Sequence, residues 1–268
     1  MRSTILYSLL FFSLIASAQT AEVEVSYVET YKTTSGSTSS KTWHLLACPS
    51  VAKFFNQVSE EIDSICSTPE GTDRMNKLRA AELASDKELT TKPTYMYVFQ
   101  YPQEECTLYY NQAAGNEKYL YREPWSEIAW EIGDSTKVIL GYECIQAETD
   151  YHGRHWTAWF APEIPLPAGP WKLCGLPGLV LSASDSKGDY SFAADGIEKT
   201  QKQIKSMYGV ENYHEQSRKE MLKVGRSFLE NPVAHLEAML GISMKDAEVK
   251  GELPEINGDW DWYETDYH

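Results

Sequence analysis

From residue 94 to residue 194 the chain repeats one pattern: a few residues alternating apolar with polar, then a turn. Tyr95, Tyr97, Phe99 and Tyr101 alternate, and further short strands are expected over 107–110, 119–122, 128–132, 138–148, 156–161, 179–184 and 190–194. Ala114-Gly115-Asn116, Gly133-Asp134, His152-Gly153 and Lys187-Gly188-Asp189 punctuate them. Strands this short, joined by connections this short, pair with their neighbours in antiparallel fashion. The expected fold class is therefore mainly β (α+β), a curved antiparallel sheet or half-barrel packed on helices.

The flanks complete this picture. Val23, Val25 and Tyr27 alternate with Glu24 and Ser26, and after a Ser/Thr/Gly turn over 33–40 Trp43 and Leu45 open a second strand, which makes an N-terminal hairpin. The period then changes. Val51, Phe54, Phe55, Val58, Ile62 and Ile65 recur at helical spacing behind Ser50, a good N-cap, and a weaker helix is expected over 73–84. These form a helical insertion over about 50–85. A helical extension is expected over about 200–240, with Asn231-Pro232 as a break and restart. Residues 251–268 are acidic and aromatic, and are expected to be a poorly ordered tail.

The first 18 residues read as a secretory signal. Arg2 supplies the positive end, 5–15 is an apolar run broken by Tyr7, Ser8 and Ser13, and Ala16-Ser17-Ala18 is the small-x-small site, with cleavage before Gln19. The run is well short of the ~20 residues a spanning helix needs. No Cys stands at the cleavage point, so a lipobox is not indicated. A single β-rich domain is expected over 19–250, secreted across the inner membrane to the periplasm or beyond and without a transmembrane segment in the mature chain. Acidic residues outnumber basic ones, 39 to 24, for a net charge of −15 that deepens by one when Arg2 leaves. That field repels phosphate backbones and anionic lipid, so nucleic acid is excluded as a partner class.

Five cysteines remain after the signal, and an oxidising compartment would let them pair. Cys48 and Cys66 flank the expected helix and would lie roughly 25 Å apart at helical rise, too far to bridge. Cys106 could pair with either. An odd count leaves one thiol free.

The densest unusual run is Trp156-Thr157-Ala158-Trp159-Phe160, then Pro162-Glu163-Ile164-Pro165, then 169–181, Gly-Pro-Trp-Lys-Leu-Cys-Gly-Leu-Pro-Gly-Leu-Val-Leu. Leu176-Pro177-Gly178-Leu179 reads as a type II turn, with Pro177 presetting φ and Gly178 supplying a positive one. Trp159, Phe160 and Trp171 are expected to cover the open end of a sheet. Taken alone, the segment is a structural crossover.

The run from Gly175 to Val180 resembles the signature of the GLPGLI family of secreted Bacteroidetes proteins, with Val180 in place of the final Ile. Tyr121-Arg122-Glu123-Pro124, Trp130, Gly141-Tyr142-Glu143-Cys144, Ala147, Gly153-Arg154, Trp156, Ala158-Trp159-Phe160, Asp185, Tyr190 and Phe192 extend the likeness over roughly 50–198. Arg154, Trp159, Trp171, Gly175, Leu176, Pro177, Gly178 and Leu179 are the family-motif residues. The resemblance implies export, an envelope location and no established activity. At fold level the strand pattern is also similar to the lipoprotein-carrier half-barrels, a likeness that transfers no function.

Candidate chemistry is sparse. His152 and His155 share a turn with Arg154 and could ligate Zn or Cu with Glu143 or Glu148 nearby, although a solvated turn is the preferred reading. Arg154 should make a structural ion pair, for instance with Glu163, in preference to binding an anion. Cys144 and Cys174, both inside the family segment, are a disulfide candidate closing ~30 residues, which would stabilise by a few kcal/mol. The alternative is a reactive thiol at Cys174 served by His152 or His155. No Gly-x-Ser-x-Gly, His-Glu-x-x-His or phosphate-cradling loop is present, and His235-Leu236-Glu237 lacks the second half of a deaminase signature. The acidic tail, with Asp259, Asp261, Glu264, Asp266 and His268 among Trp260, Trp262, Tyr263 and Tyr267, lacks the glycine of an EF-hand. The expectation is a non-enzymatic envelope protein with no cofactor, whose aromatic sheet face packs internally or holds a hydrophobic or peptide ligand, or an unknown envelope protein.

Overall fold

The computed structural model describes residues 19–84, 94–112, 118–231, 234 and 263–267. The expected signal segment, 232–233, 235–262 (with His235-Leu236-Glu237) and His268 lie outside the described residues.

A single large curved sheet of twelve strands dominates, open at both edges. In chain order the strands are β1 (Gln19–Thr20), β2 (Val23–Lys32), β3 (Thr38–Cys48), β4 (Val51–Phe55), β5 (Met96–Tyr101), β6 (Cys106–Gln112), β7 (Lys118–Pro124), β8 (Glu131–Ile139), β9 (Tyr142–Tyr151), β10 (Arg154–Ala161), β11 (Leu179–Asp185), β12 (Tyr190–Lys199), β13 (Gln203–Ile204) and β14 (His214–Glu215). The sheet order is β14-β7-β6-β5-β4-β3-β2-β12-β11-β10-β9-β8, while β1 and β13 form a separate pair. All pairings are antiparallel except β14 with β7. One long-range closure, β12 onto β2, joins the N-terminal meander to the C-terminal one, so the Pro/Gly-rich crossover between β10 and β11 sits in the second half of a continuous sheet.

The helical insertion starts later than expected. Residues 51–55 are strand β4, paired with β3 and β5, and the helix α1 (Gln57–Cys66) is capped by Asn56, whose side chain accepts from the Ser59 amide. All five β4 residues are buried, so its two faces give no polar alternation and its apolar residues fall in phase with those of α1. The helix α2 (Pro69–Ala84) follows. The expected strand over 138–148 is instead a hairpin, because Leu140 and Gly141 both have positive φ and form the two-residue turn between β8 and β9. The strand expected over 128–132 begins only at Glu131, with 128–130 irregular behind a 3-10 turn, Trp125–Glu127. In the C-terminal region the helix α3 (Arg218–Glu230) is shorter than the extension expected over 200–240, and 200–217 contains β13, a 3-10 turn (Val210–Asn212) and β14.

Each face of the sheet has its own apolar layer. One is covered by Ala21, Ile204, Met207 and Tyr213, and by α1, which is anchored through Lys53 to Glu60 and Tyr97 to Asp63. The other, called here the inner face, carries the larger core: Val25, Tyr27, Trp43, Leu45, Phe54, Tyr109, Tyr121, Trp156, Phe160 and Phe192 face Leu166, Trp171, Leu173 and Leu176 of the crossover between β10 and β11, with Met221 of α3 added. The chain thus fills its own inner face with the Pro/Gly-rich family segment. Gln100 fixes it there, donating to the carbonyls of Gly169 and Trp171 at 2.8 Å each and accepting from the Gly169 amide at 3.1 Å.

The crossover turns differently from expectation. Gly178 is absent from the positive-φ glycines, and its amide bonds to the Leu176 carbonyl at 2.8 Å, a three-residue turn about Pro177 rather than a type II turn. The same closure recurs from Leu166 to Ile164 about Pro165 and from Ala168 to Leu166 about Pro167, both at 2.7 Å. Proline suits the centre because its ring fixes φ near the value such a turn requires. Gly178 is needed for space: a Cβ there would lie 2.4 Å from the Ala161 carbonyl oxygen.

Candidate functional site

His152 and Gly153 form the two-residue β9–β10 turn, both with positive φ. This geometry sends the His152 ring inward, where its Nε2 lies 2.9 Å from Glu123 Oε1. Glu123 is on the inner face of β7, opposite Thr107 and one pleat beyond Tyr121. Lys172, from the crossover, is fully buried and engages both Glu123 and Glu264. Its ammonium lies 4.9 Å from the ring centre of Tyr121, 5.2 Å from that of Tyr109 and 5.1 Å from that of Trp171. Arg218, in the first turn of α3, adds bonds to Glu123 at 3.2 Å, to Glu264 at 2.6 Å and to Asp266 at 2.7 Å.

Three carboxylates therefore face Lys172, Arg218 and an imidazole, Glu123 and Glu264 in a nearly dry interior and Asp266 at its exposed rim. Burial pushes the Glu123 carboxyl up, but the Lys172 ammonium and His152 outweigh it and hold the group well below the usual range. Asp266 is likewise raised by burial and lowered more by Arg218, ending at about 2. A second buried carboxylate, Glu29 on β2, accepts from Trp43 Nε1 at 2.6 Å and from the Tyr263 hydroxyl. Burial raises its pKa despite those donors.

Two of these anions and one donor come from residues 263–267. The Tyr263 ring centre lies 4.4 Å from that of Tyr190 and 5.1 Å from that of Trp171. The Thr265 amide donates to the His152 carbonyl at 2.8 Å, and its hydroxyl donates to the Gly153 carbonyl at 3.0 Å. Glu264 and Tyr267 are buried. The end of the expected tail is thus packed onto the inner face.

The residues singled out from sequence are distributed unevenly. His152 is in the cluster, while His155 is half-exposed and bonds Asp150 at 2.9 Å, so the two imidazoles turn to different partners. Glu123, His152 and Glu264 could each offer a ligand atom, all within 4.8 Å of one another, yet Lys172 already bonds both carboxylates. Arg154 makes its ion pairs with Asp185 and Asp189, both at 2.8 Å, rather than with Glu163, which is exposed. Trp171 and Phe160 are buried on the inner face, whereas Trp159 is half-buried with Lys137 over its ring at 4.2 Å.

All five cysteines are free thiols, so the expected Cys144–Cys174 bridge is not made. The Cys144 sulfur lies 3.6 Å from the Tyr142 carbonyl oxygen, while Cys174 lies 3.4 Å from the Lys172 carbonyl oxygen and 3.7 Å from Thr107 Oγ1. Complete burial pushes the Cys174 thiol up to about 12, opposite to what a nucleophile needs. Lys172, Glu123, Glu264 and Arg218 were not singled out by sequence as a set. A lysine inside an otherwise apolar Trp-Lys-Leu-Cys run was the available signal, since such a lysine must find anions when it is buried.

Residues 122–222, under half of the chain, match the family model described as N-glycanase peptide, N-terminal domain. No curated protein matches the chain. Among solved structures it is similar to PNGF-II in a C2 crystal form, at 14% identity and a TM-score of 0.49, over 76% of this chain and 32% of that one. It is also similar to MucB, at 10% identity and a TM-score of 0.30, over 75% and 56%. A third similar structure is an outer membrane lipoprotein-sorting protein domain from Vibrio parahaemolyticus, at 7% identity and a TM-score of 0.23, over 72% and 89%. The chain spans about a third of the length of PNGF-II.

Proposed function

We propose that this is an exported, non-enzymatic envelope protein of the GLPGLI kind that holds an extended peptide against the inner face of its sheet. One observation carries the reading. A short segment outside any helix or strand, 263–267, with a bend at Tyr263 and a turn at Asp266 and Tyr267, is seated there by side chains from β2, the crossover and α3, and by the backbone of the β9–β10 turn. Peptide recognition combines side-chain pockets with a few main-chain bonds, and here Tyr263, Glu264 and Asp266 are held by side chains while the Thr265 amide bonds the His152 carbonyl. A hydrophobic small molecule is a poorer fit, because the aromatic interior is filled by Trp43, Trp156 and Trp171.

A non-enzymatic role suits the placement of two reactive groups. The Cys174 thiol bonds Thr107 and a backbone carbonyl, and the Lys172 ammonium is paired with two carboxylates. Export rests on the 1–18 signal pattern, and no described helix is long and apolar enough to cross a membrane. Native mass spectrometry of the protein isolated from the envelope, followed by titration with a panel of extended peptides, tests the reading. Peptide adducts are expected. If no peptide of any composition binds or alters amide exchange at residues 152–153, the proposal is wrong.

A further inference from the structure

Residues 263–267 lie on the inner face as a bound peptide would, and each contact is of a different kind. Tyr263 places its ring among Trp171, Tyr190 and Phe192 and its hydroxyl on Glu29. Glu264 takes the two cations of the floor, Lys172 and Arg218, and Asp266 takes both terminal nitrogens of Arg218 at 2.7 Å. This is a side-chain code rather than a strand pairing. Among the described residues, one backbone bond outside the strands and helices comes from this segment, Thr265 to His152.

The seat is fitted to this segment at the turn beneath it, which requires glycine, because a Cβ on Gly153 would stand 2.2 Å from Thr265 Oγ1. Among the described residues, four buried polar groups, the Tyr121 hydroxyl, the Thr149 hydroxyl and the indole nitrogens of Trp156 and Trp171, have no hydrogen-bond partner, so residues 263–267 leave them unmet. They belong to the same neighbourhood. Tyr121 flanks Lys172, the Trp156 and Trp171 rings are 5.7 Å apart, and Thr149 stands opposite Trp156 in the β9–β10 ladder. The occupant also lies at the solvent boundary: Asp266 is exposed, and Tyr263 and Thr265 are half-buried. A segment held by side chains at an exposed rim opens at lower cost than the ladder below it.

We propose that this seat binds an extended peptide of another exported protein, bearing a tyrosine followed at the next and third positions by carboxylates, and that residues 263–267 are a tethered competitor that occupies it until such a peptide displaces them. The inference rests on the peptide-holding reading above and names its ligand class and its regulation. Specificity follows from the contacts. The ring needs its hydroxyl for Glu29, and the two carboxylates match Lys172 and Arg218. A neutral or basic peptide would leave those cations without Glu264 and Asp266.

The test uses the full chain. A triple variant, Tyr263→Ala with Glu264→Gln and Asp266→Asn, is titrated by fluorescence anisotropy with a labelled peptide of residues 259–268. The unaltered protein is titrated in parallel. A tether holds its own segment at about millimolar effective concentration, so the peptide should bind the variant at least about tenfold more tightly than the unaltered protein. A peptide with the Tyr and Glu replaced by Ala and Gln should not compete.

Should the variant fail to fold, amide exchange on the unaltered protein decides the question. Excess peptide must raise deuterium uptake at 263–267, and unchanged uptake overturns the proposal. A folded variant that ignores this peptide yet binds neutral extended ones overturns the inference and leaves the broader reading standing. A folded variant that binds no peptide at all removes both. Dimerisation of the unaltered chain through exchanged tails would also overturn the tethered-competitor assignment.

Discussion

Replacing Lys172 by methionine keeps most of its volume and all of its aromatic contacts while removing the charge that Glu123 and Glu264 share. Lys172 is fully buried and both carboxylates are nearly so, so little water is at hand to take over. Breaking a buried pair from one side costs roughly 3–5 kcal/mol, because the anions stay behind uncompensated. Arg218 and His152 remain beside Glu123, and Arg218 beside Glu264, which places the expected loss toward the lower end. Against a domain stability of about 5–15 kcal/mol this is a large fraction. The melting temperature should fall by roughly 6–20 °C at 2–4 °C per kcal/mol for a chain of this size.

The loss should depend on pH in a fixed direction. In the unaltered protein Glu123 is held below its ordinary value, so its contribution is present above the unfolded pKa near 4.5 and disappears as pH falls toward 2. Without Lys172 burial dominates, the folded pKa rises above the unfolded one, and the variant loses stability as pH climbs through that raised value. The gap between the two proteins, measured by urea melts from pH 4 to pH 8, should therefore widen with pH. A gap under about 1 kcal/mol at pH 7, or one that does not change with pH, would refute the account of this cluster as a charge-balanced interior.

Gly178→Ala should cost about 2–3 kcal/mol or more, since its Cβ meets backbone at Ala161 that cannot rotate away, whereas Gly141→Ala meets open space and should cost only about 1–2 kcal/mol for its positive φ; equal costs by chemical denaturation would contradict the close-approach argument. A thiol reagent at pH 8 should label the half-buried Cys66 while sparing Cys174 in the native protein, and all five thiols should react after denaturation without reductant; fewer than five would reveal a disulfide. Glu29→Gln should stabilise progressively as pH rises above about 4.5, because burial raises the folded pKa of Glu29 and its ionisation opposes folding from there upward; a pH-independent difference between the two proteins would count against that assignment.

Much of the sheet was legible because most strands have one wetter face. β2, β10 and β12 lie where alternation put them, and β5 was found from its recurring aromatics although five of its six residues are buried. β4 was not, and the reason is physical. It is central and covered on both sides, so Val51, Ala52, Phe54 and Phe55 have no polar partner to mark the pleat, and its one charge, Lys53, is itself buried against Glu60. The crossover was readable as a turn-rich segment but not as the filling of the core, since proline and glycine announce irregular backbone without saying what it packs against. The ionic cluster was visible only in fragments, as Lys172 in its apolar run and His152 in its turn. Its members are drawn from β7, the β9–β10 turn, the crossover, α3 and the last residues of the chain, and nothing in local spacing relates position 123 to 264. The tail read as solvated because seven of its residues are acidic or histidine, although Tyr263 and Tyr267 among them were the sign of a segment with something to bury.

The charges in this interior add little to stability as such, since an ion pair in a dry core gains little over apolar residues of the same volume. A sheet that needed only a filled inner face could have closed it with more of the leucine and tryptophan it already uses. On the proposed reading, what the ionic set adds is discrimination: Lys172 and Arg218, which here pair with Glu264 and Asp266, would favour an occupant with carboxylates at those positions, and Glu29, which accepts from Tyr263, a ring that carries a donor. The crossover supplies Trp171 and Lys172 side by side, one for the ring and one for the acid, with Trp171 held at a φ of 52° that side chains rarely adopt. That local cost is understandable if the segment is built around presenting those two groups, and it makes the family-like run part of the binding seat as well as the filling of the core.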